Sequence, residues 1–176
     1  MISKEDLIKY FQDASKTKNN LKIGVEHEKF LFNSKLNQRI NFETVSKVFN
    51  YLRQFGWKPI KEENNIIALH KEGKSITIEP GNQIELSGAP LNSIHHNCNE
   101  SYEFLDELKK ACKKFDLNMV ATSFDPFSKL KNIPSTPKQR YEIMTEEMPK
   151  GGKLSLEMMY QTCGTQINLD YTSEED

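Results

Sequence analysis

Between Ile66 and Ser87 the chain alternates apolar and polar residues, a period of two that suits extended backbone packed on one face. Ile66-Ile67-Ala68-Leu69-His70 and Ser75-Ile76-Thr77-Ile78-Glu79 flank Lys71-Glu72-Gly73-Lys74, which reads as a hairpin turn. Pro80-Gly81-Asn82 breaks the alternation, and Gln83 to Ser87 resumes it. Ile76, Ile78, Ile84 and Leu86 share one parity and suit a core face, while Glu79 and Glu85 share the other. The Pro80-Gly81 break is expected to be a bulge or bend that re-aims one carboxylate.

Helices are expected around this β-rich centre. Residues 4–16 follow Ser3 as cap, with Leu7, Ile8 and Phe11 as an apolar stripe. Residues 43–55 carry Val45, Val48, Phe49 and Leu52 on one face and stop at Gly56. A long helix is expected over 91–115, and short ones near 138–147 and 154–162. Further strands are expected over 22–33, over 117–124 and from Gly164 onward; residues 125–137 read as a proline-containing loop. Without a regular βαβ rhythm, this order implies an α+β fold with an antiparallel sheet and flanking helices. The last strand runs almost to the acidic stub Ser173-Glu174-Glu175-Asp176, an expectation of truncation.

Charge excludes several functional classes. With 24 Lys and Arg against 25 Asp and Glu, there is no basic excess to hold nucleic acid. No apolar run reaches the roughly 20 residues of a membrane span, and the start lacks the pattern of a secretory signal. A soluble, cytoplasmic protein is expected, with no nucleic-acid or membrane partner. Cys98, Cys112 and Cys163 form no CxxC pair, and Cys98 and Cys112 on one helix would lie about 21 Å apart, so reduced thiols are expected.

Candidate chemistry lies in the acidic strands. In Gly24-Val25-Glu26-His27-Glu28-Lys29-Phe30, Glu26 and Glu28 share a face with Cα atoms about 7 Å apart. Hard divalent cations such as Mg²⁺ take carboxylate oxygens, so Glu26, Glu28, Glu79 and Glu85 form a candidate metal cluster. By pattern alone the solvated outer face of an antiparallel sheet is the simpler reading. The last strand adds Gln166, Asn168 and Asp170 on one face, opposite Ile167, Leu169 and Tyr171. His96 and Glu100 stand at helical i,i+4 spacing, but two ligands are too few for zinc, and a surface histidine is the simpler reading. His27 is expected to pack beside Val25, and Met158 and Met159 read as core.

Gly24 to Phe30, Ile78 to Pro90, Ile133-Pro134 through Pro137-Lys138-Gln139-Arg140-Tyr141-Glu142-Ile143-Met144, Met148-Pro149-Lys150, and Met158-Met159 through Thr162-Cys163-Gly164-Thr165-Gln166-Ile167-Asn168-Leu169-Asp170-Tyr171 together resemble the plant and proteobacterial type of glutamate–cysteine ligase. They occur in family order and cover most of the chain after residue 22. Asn82 stands where a glycine is commonly seen, and Gly164-Thr165 replaces a bulkier pair of the plant enzymes. The resemblance implies a glutamine synthetase-like carboxylate–amine ligase fold, a curved antiparallel sheet whose concave face binds metals, ATP and substrates. Residues 1–176 would then be a single unit, the N-terminal portion of a longer catalytic domain whose C-terminal part is missing.

The implied reaction is attack of glutamate's γ-carboxylate on the γ-phosphate of ATP, then of cysteine's amine on the γ-glutamyl phosphate, the first step of glutathione biosynthesis. Mg²⁺ would be held by Glu26, Glu28, Glu79 and Glu85, and Arg140 would meet a substrate carboxylate or phosphate through its guanidinium fork. Tyr141, Thr162, Gln166 and Asn168 are implied near the substrates. Cys98 matches a position where plant relatives can carry a redox-active thiol, with no partner for it in this chain. Two alternatives stay open: a related ligase joining glutamate to another amine, and a non-catalytic truncated fragment.

Overall fold

The computed structural model describes residues 2–176. Seven strands form one antiparallel open sheet: β1 (Ile23–Asn33), β2 (Lys58–Glu62), β3 (Asn65–Lys71), β4 (Lys74–Ile78), β5 (Ile84–Ser87), β6 (Leu117–Val120) and β7 (Thr165–Leu169). Five α-helices flank it: α1 (Lys4–Asp13), α2 (Phe42–Leu52), α3 (Ile94–Lys114), α4 (Gln139–Glu147) and α5 (Ser155–Gln161). The strand order is β2-β3-β4-β5-β1-β6, and β7 also pairs with β1. The expected α+β class with an antiparallel sheet and flanking helices is what the chain adopts.

β1 is the organising strand because it is long enough to take three partners. Glu26 registers with Ser87 of β5 on one edge and with Gln166 of β7 on the other. Farther along, Phe30 to Asn33 pair with β6. The expected hairpin between β3 and β4 turns through Glu72 (φ 51°) and Gly73 (φ 81°), two left-handed residues whose twist matches the strands they join. β2 went unread in the sequence. Its Lys58-Pro59-Ile60-Lys61-Glu62 is mostly exposed and shows no apolar alternation, and its proline is tolerated because the strand lies at the sheet edge.

The parity predicted for the core face holds. Ile76, Ile78, Ile84 and Leu86 are fully buried with Leu31 and Leu69 beneath α2 and α3. Val45, Val48, Phe49 and Leu52 meet them from α2, and Phe104 and Leu108 from α3. Asn41 caps α2 by accepting from the Thr44 amide (3.0 Å), and the helix path ends at Gly56 with φ 92°. The opposite face of β1 buries Phe30 and Phe32 under Arg39, whose guanidinium lies 4.3 Å from the Phe30 ring centroid.

Several expectations are corrected. The α1 stripe of Leu7, Ile8 and Phe11 is exposed rather than packed. That helix is tied down instead through the chain that follows it: Lys16 donates its amide to Tyr171 O (2.9 Å) and its ammonium to Asp170 (2.7 Å). Met159 is core, but Met158 is exposed. Helix α3 begins at Ile94, since Leu91 bridges to Ile23 and Ser93 caps the helix. Glu100 is buried and accepts from the Ala89 amide (3.2 Å), close against Gly88, where a β-carbon would meet the carboxylate at 2.4 Å. Its partner is thus the end of β5, not a zinc ion shared with His96. Cys98, Cys112 and Cys163 are free. Among the described residues no helix is long and apolar enough to cross a membrane.

Candidate functional site

Glu28 and Glu85 face each other directly across the β1–β5 pair. Glu79 follows the last residue of β4, where Pro80-Gly81 turns the chain back toward β5. Asn82 completes that turn at φ 60°, a left-handed conformation open to glycine and to asparagine but costly for most residues. Together these place one carboxylate oxygen from each of Glu28, Glu79 and Glu85 within 4.8 Å of one another, the only group among the described residues that could hold a metal ion. Strand parity therefore delivers two of the three carboxylates, and the predicted bend delivers the third.

Each carboxylate is aimed by its neighbours. Glu28 Oε2 accepts from the Gly164 amide at 2.7 Å. Glu85 Oε1 accepts from the hydroxyls of Ser87 (2.6 Å) and Thr77 (3.1 Å). Both oxygens of Glu79 lie 3.4 Å from the Tyr141 hydroxyl. Glu26 stands outside the group of three. It lines one recess with Glu28, Glu85 and Gly164, but its Oε1 accepts from Asn168 (2.9 Å) and Gln166 (3.3 Å), so these two predicted residues meet Glu26 on the adjoining edge.

The arm after the loop supplies basic groups. Tyr141 is fully buried and donates its hydroxyl to Ile78 O at 2.8 Å. Arg140 Nη2 donates to that same hydroxyl at 3.1 Å, which puts the guanidinium at the Glu79 end of the cluster. Burial, then the charge of Glu79, pushes the Tyr141 phenol up to about 12, so it stays protonated. Thr162 bonds within the chain: its hydroxyl donates to Met158 O at its own helix end, and its carbonyl accepts from Gln83 Nε2 at 3.0 Å. Sequence reasoning missed Gly164 N–H, Gln83 and Lys138 as parts of this frame. Lys138 lay inside a quoted motif; the backbone amide of Gly164 carries no side-chain signal at all.

The cluster carries a test of whether a cation fits. Burial and the neighbouring charge of Glu85 push Glu79 up to about 7. Burial raises Glu28 as well, with Glu85 and Glu26 adding to it. The carboxylates raise one another more than Lys138 and Arg140 lower Glu79, and a hard divalent ion is the species that takes several carboxylate oxygens at once. Oxygens about 2.1 Å from a magnesium ion are at most about 4.2 Å apart, so these three, within 4.8 Å of one another, would draw closer to share one.

Between pH 4.5 and 7 the folded chain keeps the Glu79 proton that the unfolded chain, at an ordinary 4.5, has lost. The stability this group contributes is full below about pH 4.5 and declines as pH rises toward 7. Without divalent ions, urea unfolding is expected to show wild type losing on the order of 2 kcal/mol relative to Glu79→Gln between pH 4.5 and 8. Parallel pH profiles for the two proteins would remove the basis for a strained carboxylate.

Residues 22–175 match the model of glutamate-cysteine ligase family 2. Over 176 residues the chain is 43% identical to glutamate–cysteine ligase A, chloroplastic, of Oryza sativa subsp. japonica. It is 42% identical to the chloroplastic glutamate–cysteine ligase of Nicotiana tabacum and 39% identical to that of Arabidopsis thaliana. Each alignment takes in 99% of this chain but only 34–36% of the relative, so the chain spans about a third of the length of the proteins it matches. With the family model covering nearly the whole chain and relatives this similar, the chain belongs to glutamate-cysteine ligase family 2.

Proposed function

We propose that residues 1–176 supply the carboxylate-lined part of an ATP-dependent glutamate–cysteine ligase, as the N-terminal portion of a longer catalytic domain in the cytoplasm. The observation that carries this reading is the convergence of Glu28, Glu79 and Glu85 within 4.8 Å beside the Arg140 guanidinium. The reaction joins the γ-carboxylate of glutamate to the amine of cysteine through γ-glutamyl phosphate, so two anions must first be brought together. Glu28, Glu79 and Glu85 would hold Mg²⁺, with Glu26 at the adjoining position. When bound, the metal offsets the charge of the ATP phosphates and of the acyl phosphate.

The chain's own residues do the rest of the work assigned here. Arg140 receives a substrate carboxylate or a phosphate, because its guanidinium offers paired donors at the rim of the cluster. Tyr141 keeps its proton and holds Arg140 against the strand end. Gln166 and Asn168 offer amides beside Glu26 to polar groups of the substrates. Thr162 braces Gln83 through its carbonyl.

The test is phosphate release from ATP with Mg²⁺ and glutamate, with and without cysteine. It is run on this chain and on a polypeptide of the relatives' length. Cysteine-dependent release by the longer polypeptide, and none by this chain alone, is expected. Release that other amines support and cysteine does not would assign a different second substrate, and no release by the longer polypeptide would sink the ligase reading.

A further inference from the structure

Lys138 touches none of the three carboxylates, yet its ammonium is half-buried and donates to Ile78 O at 2.8 Å. The Tyr141 hydroxyl donates to the same oxygen, also at 2.8 Å. A carbonyl has two lone pairs, and here both are taken by side chains from the start of one arm. The β3–β4 register stops at Ala68 opposite Thr77, so no strand residue is registered opposite Ile78 on that side. Ile78 is the last residue of β4, and Glu79 comes next. The lysine ammonium also lies 5.1 Å from the Tyr141 ring centroid, and the Arg140 guanidinium lies 4.8 Å from it, so one aromatic ring seats both cations.

We propose that Lys138 is a positioning residue: with Tyr141 it clamps the Ile78 carbonyl and so aims Glu79 into the carboxylate cluster. This rests on the cation reading of Glu28, Glu79 and Glu85. The charge of Lys138 makes the role separable from that of a bystander. A positive group beside a divalent-ion site repels the ion, so removing a bystander ammonium tightens binding. Removing a clamp that aims a ligand loosens it.

The experiment measures Mn²⁺ binding to this chain by the electron-paramagnetic-resonance signal of the free ion, for wild type, Lys138→Met and Lys138→Arg. Methionine keeps the apolar stem over Tyr141 and loses the donor; arginine restores a donor. Lys138→Met is expected to weaken Mn²⁺ about tenfold, the scale typical of groups that orient a metal ligand, and Lys138→Arg to recover most of it. Equal or tighter binding by Lys138→Met overturns the inference. That includes the case in which the lysine serves only to receive a phosphate.

If wild type binds no Mn²⁺, the cation reading is what fails. Hydrogen exchange then decides the clamp by itself. The amides of Glu79, bonded to Gln83 O, and Asn82, bonded to Glu79 O, report the turn directly. Faster exchange there in Lys138→Met, reversed in Lys138→Arg, supports the clamp, and unchanged exchange overturns it.

Discussion

Glu28→Gln is expected to cut divalent-ion affinity of this chain roughly 100-fold and to abolish ligation in a polypeptide of the relatives' length, while leaving the fold intact. Glutamine keeps the side chain's shape and a carbonyl oxygen that still accepts from Gly164 N–H, now 2.7 Å from Glu28 Oε2. What it removes is one of the three negative charges that sit within 4.8 Å of one another. Burial, and then the carboxylates' effect on one another, holds Glu28 and Glu79 above the ordinary carboxylate range. The substitution should therefore leave metal-free thermal stability unchanged or raise it. This pairing of readouts separates loss of a ligand from loss of a fold. Glu26→Gln is expected to do less to ion affinity, because Glu26 lies outside the group of three and is held by Asn168 and Gln166. Near wild-type Mn²⁺ affinity in Glu28→Gln would remove Glu28 from the site.

The second large effect lies beneath the site. Arg39 and Asp125 form a salt bridge of 3.0 Å with side chains 1% and 0% exposed. Arg39 also donates to the carbonyls of Gly81 and Tyr160. Asp125 accepts in addition from the amides of Phe127 (2.8 Å) and Ser128 (2.9 Å). The pair thus ties the turn that carries Glu79 to the loop after β6 and to the end of α5. Arg39→Met leaves a carboxylate buried without its counter-charge, a change that costs about 3–5 kcal/mol. For a chain of this length that is roughly 10 °C in melting temperature. Arg39→Met combined with Asp125→Leu removes both charges and is expected to recover much of the loss. Equal destabilisation of the single and the double variant would show that the hydrogen bonds to Gly81 and Tyr160, and not the ion pair, carry the energy.

Legibility in the sequence followed the type of interaction. α2 and the β3–β4 hairpin were readable because their signals are local: an apolar face with a period near 3.6, and a turn whose Gly73 accepts φ 81°. β2 was hidden because an exposed edge strand buries too little to impose alternation. The α1 stripe was read as apolar and lies exposed, since amphipathicity reports what a helix offers and not what lies opposite it. In the site, Glu28 and Glu85 were marked by parity on separate strands. Their meeting depended on the β1–β5 register, which no local rule supplies.

Residue order alone thus set the alternating strands, the bend at Pro80-Gly81 and the family to which the chain belongs, because backbone preference and side-chain period act over a few neighbours. Folding in three dimensions decided which carboxylates share one ion's reach, that Glu26 stands aside, and that Arg39 and Lys138 brace the turn between them. Those outcomes depend on distances between segments far apart along the chain, such as Lys138 to Ile78 and Arg39 to Asp125, and only packing brings such segments together.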